Sequence, residues 1–214
     1  MADLISIVVP VYNAENSLEE LYLAIKKTAA ANNFNFECIL VDDNSSDQSY
    51  KKILELNSYD SRVKGIRLAG NFGQQNAIFC GFNYVAGDYI ITMDDDLQHR
   101  PDDIALLYQK IKEGYDVVYA IPKERKYKFY RRLGSKLTNL LFNLITPKPE
   151  AIRVSSFRII NRKTLAEIKA SEKSFIYISA IILKQRAKIA NIYTKQKQRK
   201  YGQSNYNFIK LLKL

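Results

Sequence analysis

Residues 90–101 read Ile90-Ile91-Thr92-Met93-Asp94-Asp95-Asp96-Leu97-Gln98-His99-Arg100-Pro101. The run begins with apolar and β-branched residues, as a buried strand does, and three carboxylates and a turn follow directly. Adjacent anions held within a few Å repel one another by about 1 kcal/mol per pair even in water, so a cation is expected beside them. Carboxylate oxygens suit Mg²⁺ or Mn²⁺, which commonly share their coordination with substrate phosphates. The run predicts a metal site at a strand end, with a solvated acidic loop as the plainer alternative.

Strand and helix patterns alternate around this run, which predicts a parallel, doubly wound α/β sheet with helices on both faces. The spacing of Ser17 and Glu20 fits a capping box, Asp47 can cap the second helix, and Gly87 is expected to close the third. The apolar segment 175–183 is ambiguous between strand and helix. Strands are predicted at residues 5–13, 36–41, 63–68, 89–93, 115–121, 155–160 and, at an edge, 189–194; helices are predicted at 17–31, 50–56, 71–86, 101–113 and 162–170.

Three polar clusters fall where predicted strands end: Asn13, the pair Asp42 and Asp43, and the triplet 94–96. In parallel sheets the carboxyl ends of the strands meet at one edge, where ligands bind. Neither GxGxxG nor GxxxxGK[ST] is present in the sequence, so both common backbone cradles for phosphate are absent. A phosphate ligand at this edge would therefore be held by a metal and by cationic side chains.

The composition is that of a globular protein: 214 residues, of which 47% are hydrophobic. Cys38 and Cys80 have no paired spacing and are expected to be reduced and packed. The N-terminus shows no secretory signal, and no apolar run is long enough to span a bilayer. The chain stops within a helical pattern that begins at Phe208, which is typical of a truncated protein.

The net charge of +11 is unevenly distributed. Residues 1–120 contain 10 Lys+Arg and 18 Asp+Glu, whereas residues 121–214 contain 23 and 4. The second half should face an anion, and nucleic acid, an anionic membrane surface and a diphosphate all have the required sign. Residues 123–144 form a basic amphipathic pattern, which predicts either a helix on a membrane surface or a core-packed helix with a solvated basic face.

Six short motifs together resemble the family 2 glycosyltransferases of GT-A fold, in particular the polyprenyl-phosphate and dolichyl-phosphate sugar synthases and their bacterial relatives. In that fold residues 1–121 would form the nucleotide-sugar-binding half, and residues 122–214 the basic half that faces the acceptor and the membrane. The motifs are Val9-Pro10-Val11-Tyr12-Asn13, Val41-Asp42-Asp43-Asn44-Ser45, Arg67-Leu68-Ala69-Gly70-Asn71-Phe72-Gly73, Met93-Asp94-Asp95-Asp96-Leu97-Gln98, Ser156-Phe157-Arg158 and Arg199-Lys200-Tyr201-Gly202-Gln203-Ser204-Asn205-Tyr206.

The resemblance implies roles for residues in both halves. A divalent metal, Mg²⁺ or Mn²⁺, would neutralise the departing nucleoside diphosphate, for which Asp96 would be the central catalytic carboxylate. Arg side chains suit a diphosphate because the guanidinium can pair with two oxygens at once. The implied nucleotide contacts are Pro10, Tyr12, Asp43, Asp94 and Asp95; the metal ligands are Asp94 and Asp96; the diphosphate contacts are Arg199, Lys200 and Arg125.

Two departures from the family pattern bear on the acceptor. Many relatives carry Asp where this chain has Ser156, and Lys where it has Asn205. A sugar hydroxyl needs a base to attack at neutral pH, whereas a lipid phosphate is already an anion, so Ser156 favours a phosphate acceptor. His99, the single histidine, is the alternative base.

The sequence thus predicts an inverting, metal-dependent glycosyltransferase at the cytoplasmic face of the membrane. It would use a nucleotide-sugar donor, with UDP favoured over GDP, and polyprenyl phosphate as acceptor. A saccharide hydroxyl of a lipid-linked glycan, as in surface polysaccharide assembly, is the alternative acceptor. A nucleic-acid-binding module is the remote alternative, and nucleic acid is not expected as a partner. A homo-oligomer is compatible with this interpretation.

Overall fold

The computed structural model describes residues 3–123, 152–171 and 177–195. Within these ranges seven strands form one sheet in the order β3-β2-β1-β4-β6-β5-β7. β6 runs antiparallel to both of its neighbours, and the other pairs are parallel, which confirms the predicted mostly parallel α/β sheet. The strands are β1 (Leu4–Val11), β2 (Asn35–Asp42), β3 (Val63–Arg67), β4 (Tyr89–Thr92), β5 (Val117–Pro122), β6 (Arg158–Asn161) and β7 (Ile189–Thr194).

Helices cover both faces of the sheet, and each face has its own apolar core. α1, α2 and α4 pack on one face, and α3, α5 and α6 pack on the other. Because the central strands are buried on both sides, they are apolar almost without interruption. The ambiguous segment 175–183 is helical from Ile178. The helices are α1 (Leu18–Ala31), α2 (Ser49–Tyr59), α3 (Gln74–Gly81), α4 (Asp103–Ile111), α5 (Arg162–Lys169) and α6 (Ile178–Lys184).

The two cysteines are free, as the sequence predicts, and Cys38 lies buried in β2. Burial raises the pKa of Cys38 to about 12, so its thiol stays protonated and packs as a small apolar group. Cys80 is half-buried in α3, where burial also raises its pKa.

The helix caps predicted at Ser17 and Gly87 are wrong, and the one predicted at Asp47 is displaced by one residue. The Ser17 hydroxyl donates to the carbonyl of Ala14 at 3.1 Å and does not cap α1. Gly87 lies well beyond the end of α3; it is a glycine because a Cβ there would come within 2.7 Å of the Leu4 carbonyl oxygen in β1. Asp47 accepts from the backbone N–H of Ser49 at 2.9 Å, one residue ahead of the cap position of α2.

The third helix is also shorter than predicted, since it begins at Gln74 and not at residue 71. Gly73 adopts φ +87°, a left-handed conformation that cannot belong to a right-handed helix and that glycine accepts at little cost. The residues before Gly73 therefore form a loop at the edge of the sheet.

Several predictions fall on residues outside the described ranges. These are the diphosphate contacts Arg125, Arg199 and Lys200, most of the basic pattern 123–144, and the C-terminal helical pattern from Phe208. Among the described residues, no helix is long and apolar enough to cross a membrane.

Candidate active site at the carboxyl edge of the sheet

The loops that follow β1 and β2 are tied together at the carboxyl edge of the sheet. The backbone N–H of Asn13 donates to Oγ of Ser45 at 3.0 Å, and Oδ1 of Asn13 accepts from the backbone N–H of Ser46 at 2.9 Å. Asn13 and Asn44 both adopt positive φ, 52° and 57°, which Asn tolerates better than most residues. The polar residues that follow β1 and β2 therefore meet at one edge of the sheet, as the sequence predicts.

Asp43 holds the loop that precedes α3. Its Oδ1 accepts from the backbone N–H of Phe72 at 2.7 Å, and its Oδ2 accepts from that of Gly73 at 2.8 Å. The side chain is buried, yet each carboxylate oxygen has a second lone pair that can accept from a ligand. The predicted contact of Asp43 with a nucleotide base stays a prediction, to which the structure adds this role as a loop anchor.

Asp42, the neighbour of Asp43, is directed to a different partner. It is fully buried and lies 3.3 Å from Nε of Arg67 at the end of β3. Arg67 in turn donates to the carbonyl of Ser45 at 3.3 Å and covers the ring of Tyr50 at 5.0 Å from its centroid. This ion pair fixes the end of β3 against the loop after β2.

Pro10 and Tyr12 bring the end of β1 to the same edge. Pro10 is buried in β1 opposite Val41, whereas the Tyr12 side chain is 38% exposed at the surface. An exposed ring beside Asp43 is available for stacking on a planar ligand. Their predicted nucleotide contacts stay predictions.

Asp95, the central member of the triplet, is directed toward the backbone of Tyr12 at the end of β1. Its Oδ2 accepts from the backbone N–H of Tyr12 at 3.0 Å and so joins the end of β4 to that of β1. Burial is the largest influence on this carboxyl group and, with the neighbouring carboxylates Asp94 and Asp96, raises its pKa to about 7 despite the hydrogen bond. The predicted nucleotide contact of Asp95 also stays a prediction.

Asp94 is held from two sides. Its Oδ1 accepts from the side-chain amide of Gln74, the first residue of α3, at 2.6 Å. Its Oδ2 accepts from the hydroxyl of Ser156 at 2.8 Å. The Ser156 carbonyl accepts in turn from the hydroxyl of Thr92 in β4 at 2.5 Å. Asp94 is therefore fixed in orientation at the carboxyl end of β4 while remaining partly open to solvent.

A tight turn follows the triplet. Oδ1 of Asp96 accepts from the backbone N–H of Gln98 at 3.0 Å. Leu97 has φ +59° although its side chain is packed in the core, a conformation that costs a non-glycine residue on the order of 1 kcal/mol. The burial of the Leu97 side chain offsets this strain and keeps the carboxylates of the triplet at the end of the strand.

His99 packs behind this turn. Its ring stacks on Phe157 with 4.9 Å between centroids, and its Nδ1 accepts from the backbone N–H of Asp94 at 3.4 Å. Nδ1 also lies 3.7 Å from Oδ2 of Asp94. His99 thus supports the position of Asp94, and its role as a base stays a prediction.

The fit of this edge to a divalent metal rests on two carboxylates. In the described part of the chain, no three His, Cys, Asp or Glu side chains are arranged as a complete metal site. Asp95 faces the Tyr12 backbone, which leaves Asp94 and Asp96 as candidate ligands. Two carboxylates fit Mg²⁺ or Mn²⁺, because these ions usually take one or two protein carboxylates and complete their coordination with waters and substrate phosphates.

Sequence reasoning missed the residues that hold these carboxylates. Gln74 begins α3, and the backbone amides of Phe72 and Gly73 belong to the loop before it, which follows β3 at the same edge of the sheet. Phe72 is 57% exposed, which is unusual for a large aromatic side chain and marks the loop tip as a candidate contact surface. The signal in the sequence was the position of the motif Arg67–Gly73 at the end of a predicted strand, because residues on loops at strand ends often form a site.

Comparisons with known proteins agree with this architecture. The profile of glycosyl transferase family 2 matches residues 6–169. The chain belongs to this family. Solved structures of glucosyl-3-phosphoglycerate synthase from Mycobacterium tuberculosis share its fold. The complex of that enzyme with Mn²⁺, UDP and phosphoglyceric acid matches with a TM-score of 0.70 at 18% identity, over 98% of this chain and 73% of that one.

Two other structures of the same enzyme match similarly. Its complex with UDP gives a TM-score of 0.71 at 16% identity, over 98% of this chain and 75% of that one. Its complex with Mg²⁺ and UDP gives a TM-score of 0.68 at 18% identity, over 98% of this chain and 74% of that one. The family match confirms a glycosyltransferase domain, and the structural likeness, at these identities, shows the shared fold.

Proposed function

We propose that this family 2 glycosyltransferase moves one sugar, with inversion, from a nucleotide-diphosphate donor to polyprenyl phosphate at the cytoplasmic face of a membrane. The observation that carries the proposal is the placement of Asp94 between Gln74 and Ser156 at the carboxyl end of β4. Asp43 and the loop before α3 that it holds lie next to this position. A fixed, partly open carboxylate at this edge fits a metal bound to a donor diphosphate. Asp43, beside it, fits a nucleotide base.

The residues implied for the donor divide by position. Asp43, Pro10 and Tyr12 would contact the base, and UDP is favoured over GDP. Asp94 and Asp96 would hold Mg²⁺ or Mn²⁺, which, when bound, offsets the charge that develops on the departing diphosphate. Structures of glucosyl-3-phosphoglycerate synthase, which has the same fold, contain UDP with Mn²⁺ or with Mg²⁺. They support both the choice of UDP and that of a divalent metal.

The reaction would be a single in-line displacement. An oxygen of the acceptor phosphate attacks the anomeric carbon, the bond from that carbon to the donor diphosphate breaks, and the nucleoside diphosphate departs with the electron pair. Asp96, two residues from Asp94, would with it hold the metal that offsets the charge of the departing diphosphate. No proton has to be removed from the attacking group, because a phosphate monoester is already an anion.

Two contacts support a phosphate acceptor over a saccharide hydroxyl. The hydroxyl proton of Ser156 is donated to Asp94, so Ser156 is no general base. Nδ1 of His99 accepts from the backbone N–H of Asp94, so that nitrogen is occupied as well. A saccharide hydroxyl would need a base that neither atom supplies.

Phosphoglyceric acid is a second candidate acceptor, because glucosyl-3-phosphoglycerate synthase of the same fold has been solved with it. It shares an ionised phosphate with a polyprenyl phosphate but is water-soluble. The lipid is favoured by the excess of 23 Lys+Arg over 4 Asp+Glu in residues 121–214, a balance suited to an anionic membrane surface.

The experiment is a transfer assay with radiolabelled UDP-glucose and GDP-mannose, Mg²⁺ or Mn²⁺, and three acceptors: a short polyprenyl phosphate, 3-phosphoglycerate and a lipid-linked saccharide. The proposal expects labelled lipid phosphate, together with release of the nucleoside diphosphate. Transfer to the saccharide, abolished in His99→Ala, would instead establish the hydroxyl acceptor. Transfer to 3-phosphoglycerate alone would contradict the lipid assignment.

A further inference from the structure

Arg158 is a fully buried cation on the same face of the sheet as Asp94. It is 1% exposed and is among the largest side chains in the interior. Its Nη1 donates to the hydroxyl of Ser179 in α6 at 2.8 Å. Among the described residues its Nε and Nη2 have no hydrogen-bond partner, and no carboxylate forms an ion pair with it.

The two unpartnered nitrogens have a particular geometry. In a guanidinium group, the N–H of Nε and one N–H of Nη2 point in the same direction along one edge of the plane. This edge is the fork that binds two oxygens of a carboxylate or phosphate by parallel hydrogen bonds. The one partnered nitrogen, Nη1, lies away from this edge, so Ser179 orients the group without occupying the fork.

A second residue with an unpartnered donor packs against the Arg158 guanidinium. Tyr119 of β5 pairs with Arg158 of β6, its ring centroid is 6.0 Å from the guanidinium carbon, and it is fully buried. Its hydroxyl likewise has no partner among the described residues. Two neighbouring buried residues with unpartnered donors are a stronger signal for an anion than either residue alone.

The position of the fork links it to the proposed active site. Arg158 pairs with Thr92 across β6 and β4, and Asp94 lies two residues beyond Thr92 on the same face. Ser156, which holds Asp94, is likewise two residues from Arg158. Arg158 therefore lies at the start of β6, beside the end of β4 that precedes Asp94.

A buried guanidinium with two unpartnered nitrogens is expensive, because the Ser179 hydroxyl and the Tyr119 ring replace only part of its lost hydration. We propose that Arg158, with Tyr119, forms a buried subsite for an oxyanion, and that the oxyanion is the phosphate of the acceptor. This assignment rests on the proposed function for the identity of the acceptor. The shared chemistry, a phosphate or carboxylate bound by the Arg158 fork, could also be supplied by free phosphate or by a carboxylate side chain of this chain.

The test uses the whole chain and inorganic phosphate as the first probe. Thermal unfolding is followed with increasing phosphate for the wild type, Arg158→Met, Arg158→Lys and the control Lys163→Gln, which removes one exposed cation in α5. All samples contain UDP and Mg²⁺, so that phosphate does not report on the donor site. A ligand of the folded state raises Tm with its concentration.

The proposal expects phosphate to raise Tm in the wild type and in Lys163→Gln but not in Arg158→Met. Arg158→Lys, which keeps the charge and loses the fork, should bind phosphate at least about tenfold more weakly. Farnesyl phosphate, the lipid probe, should compete with inorganic phosphate. Equal Tm shifts in all four proteins would overturn the subsite, and phosphate binding without competition by farnesyl phosphate would overturn its assignment to the acceptor.

A carboxylate of this chain in the fork gives a different result. Arg158→Met would then leave that carboxylate buried without its partner, so the Tm of this variant without phosphate would fall. Phosphate would also not raise the Tm of the wild type. That outcome also overturns the proposal. Calorimetric titration of UDP into Arg158→Met separates this test from the proposed function: the donor should bind as in the wild type, and failure of UDP to bind either protein would contradict the proposed function while leaving the phosphate result intact.

Discussion

The hydroxyl of Ser156 donates a 2.8 Å hydrogen bond to Oδ2 of Asp94. A carboxylate at this position would face Asp94 and repel it unless a cation or proton lay between them. In this chain the neutral hydroxyl orients Asp94 at no electrostatic cost. Ser156 therefore has a structural role, which is to fix a candidate metal ligand.

Replacement of Ser156 should weaken metal binding without removing a metal ligand. For Ser156→Ala we expect metal-dependent binding of UDP to weaken about tenfold, because groups that orient a ligand typically contribute that much to metal affinity. Calorimetric titration of UDP at several Mg²⁺ concentrations measures the effect. The matched control is Ser58→Ala, an exposed hydroxyl that donates to a backbone carbonyl in α2. Equal UDP affinity in both variants would contradict the assigned role of Ser156.

Asp43→Asn should loosen the loop before α3. A carboxamide has one acceptor oxygen, so one of the backbone N–H groups of Phe72 and Gly73 would lose its partner. We expect a loss of about 1–3 kcal/mol in the free energy of unfolding, together with weaker nucleotide binding. Urea unfolding and UDP titration measure the two effects.

The control for this change is Asp88→Asn. Asp88 is exposed, and its Oδ2 accepts a hydrogen bond from the backbone N–H of Leu4, which an amide oxygen can still accept. A loss of stability as large in Asp88→Asn as in Asp43→Asn would show that the two backbone bonds of Asp43 are not responsible.

Stability should fall at acid pH through Glu37. Burial on its own raises the pKa of this carboxyl group, but hydrogen bonds from Lys64, Ser6 and the Ala86 amide outweigh burial and lower it. A carboxyl group with a lowered pKa stabilises the fold above its unfolded pKa, about 4.3, and this contribution is lost as the pH falls through the folded pKa.

Glu37→Gln removes this dependence on pH. The variant should be less stable than the wild type at pH 7 by about 1–3 kcal/mol, because Lys64 loses a charged partner, and the difference should shrink below about pH 4. Urea unfolding between pH 3 and pH 7, about the range in which Glu titrates, measures it. Glu55→Gln, at an exposed ion pair with Lys52, is the control and should change little. A pH-independent difference for Glu37→Gln would rule out the linkage.

Most of the sheet could be predicted because its strands are buried on both faces. Such strands are runs of apolar residues, as in β1 and β2, and each run ends where polar residues begin. The insertion of β6 between β4 and β5 has no local signal, since it depends on which exposed edges remain to be paired. The helical state of Ile178–Lys184 likewise depends on packing against the sheet, because a short apolar run fits either state.

The candidate site was predicted by residue type, but not by orientation. The sequence identifies Asp43, Asp94 and Asp95 as carboxylates at strand ends, yet their side chains take different directions there. Asp95 is directed toward the backbone of Tyr12, and Asp43 toward the loop before α3. These directions depend on the register of neighbouring strands and on backbone N–H groups, which a linear pattern does not contain. The open fork of Arg158 was missed for the same reason.

The most direct test of the account is calorimetric titration of UDP and GDP into the protein, with Mn²⁺ and with EDTA, repeated on Asp96→Ala. We expect one nucleotide, UDP by preference, to bind with Mn²⁺ and to bind far more weakly with EDTA or in Asp96→Ala. Asp102→Ala, a change at an exposed carboxylate near the start of α4, is the control and should bind as the wild type does. Absence of binding by either nucleotide under every condition, in a protein that is folded by thermal unfolding, would contradict the proposed donor site.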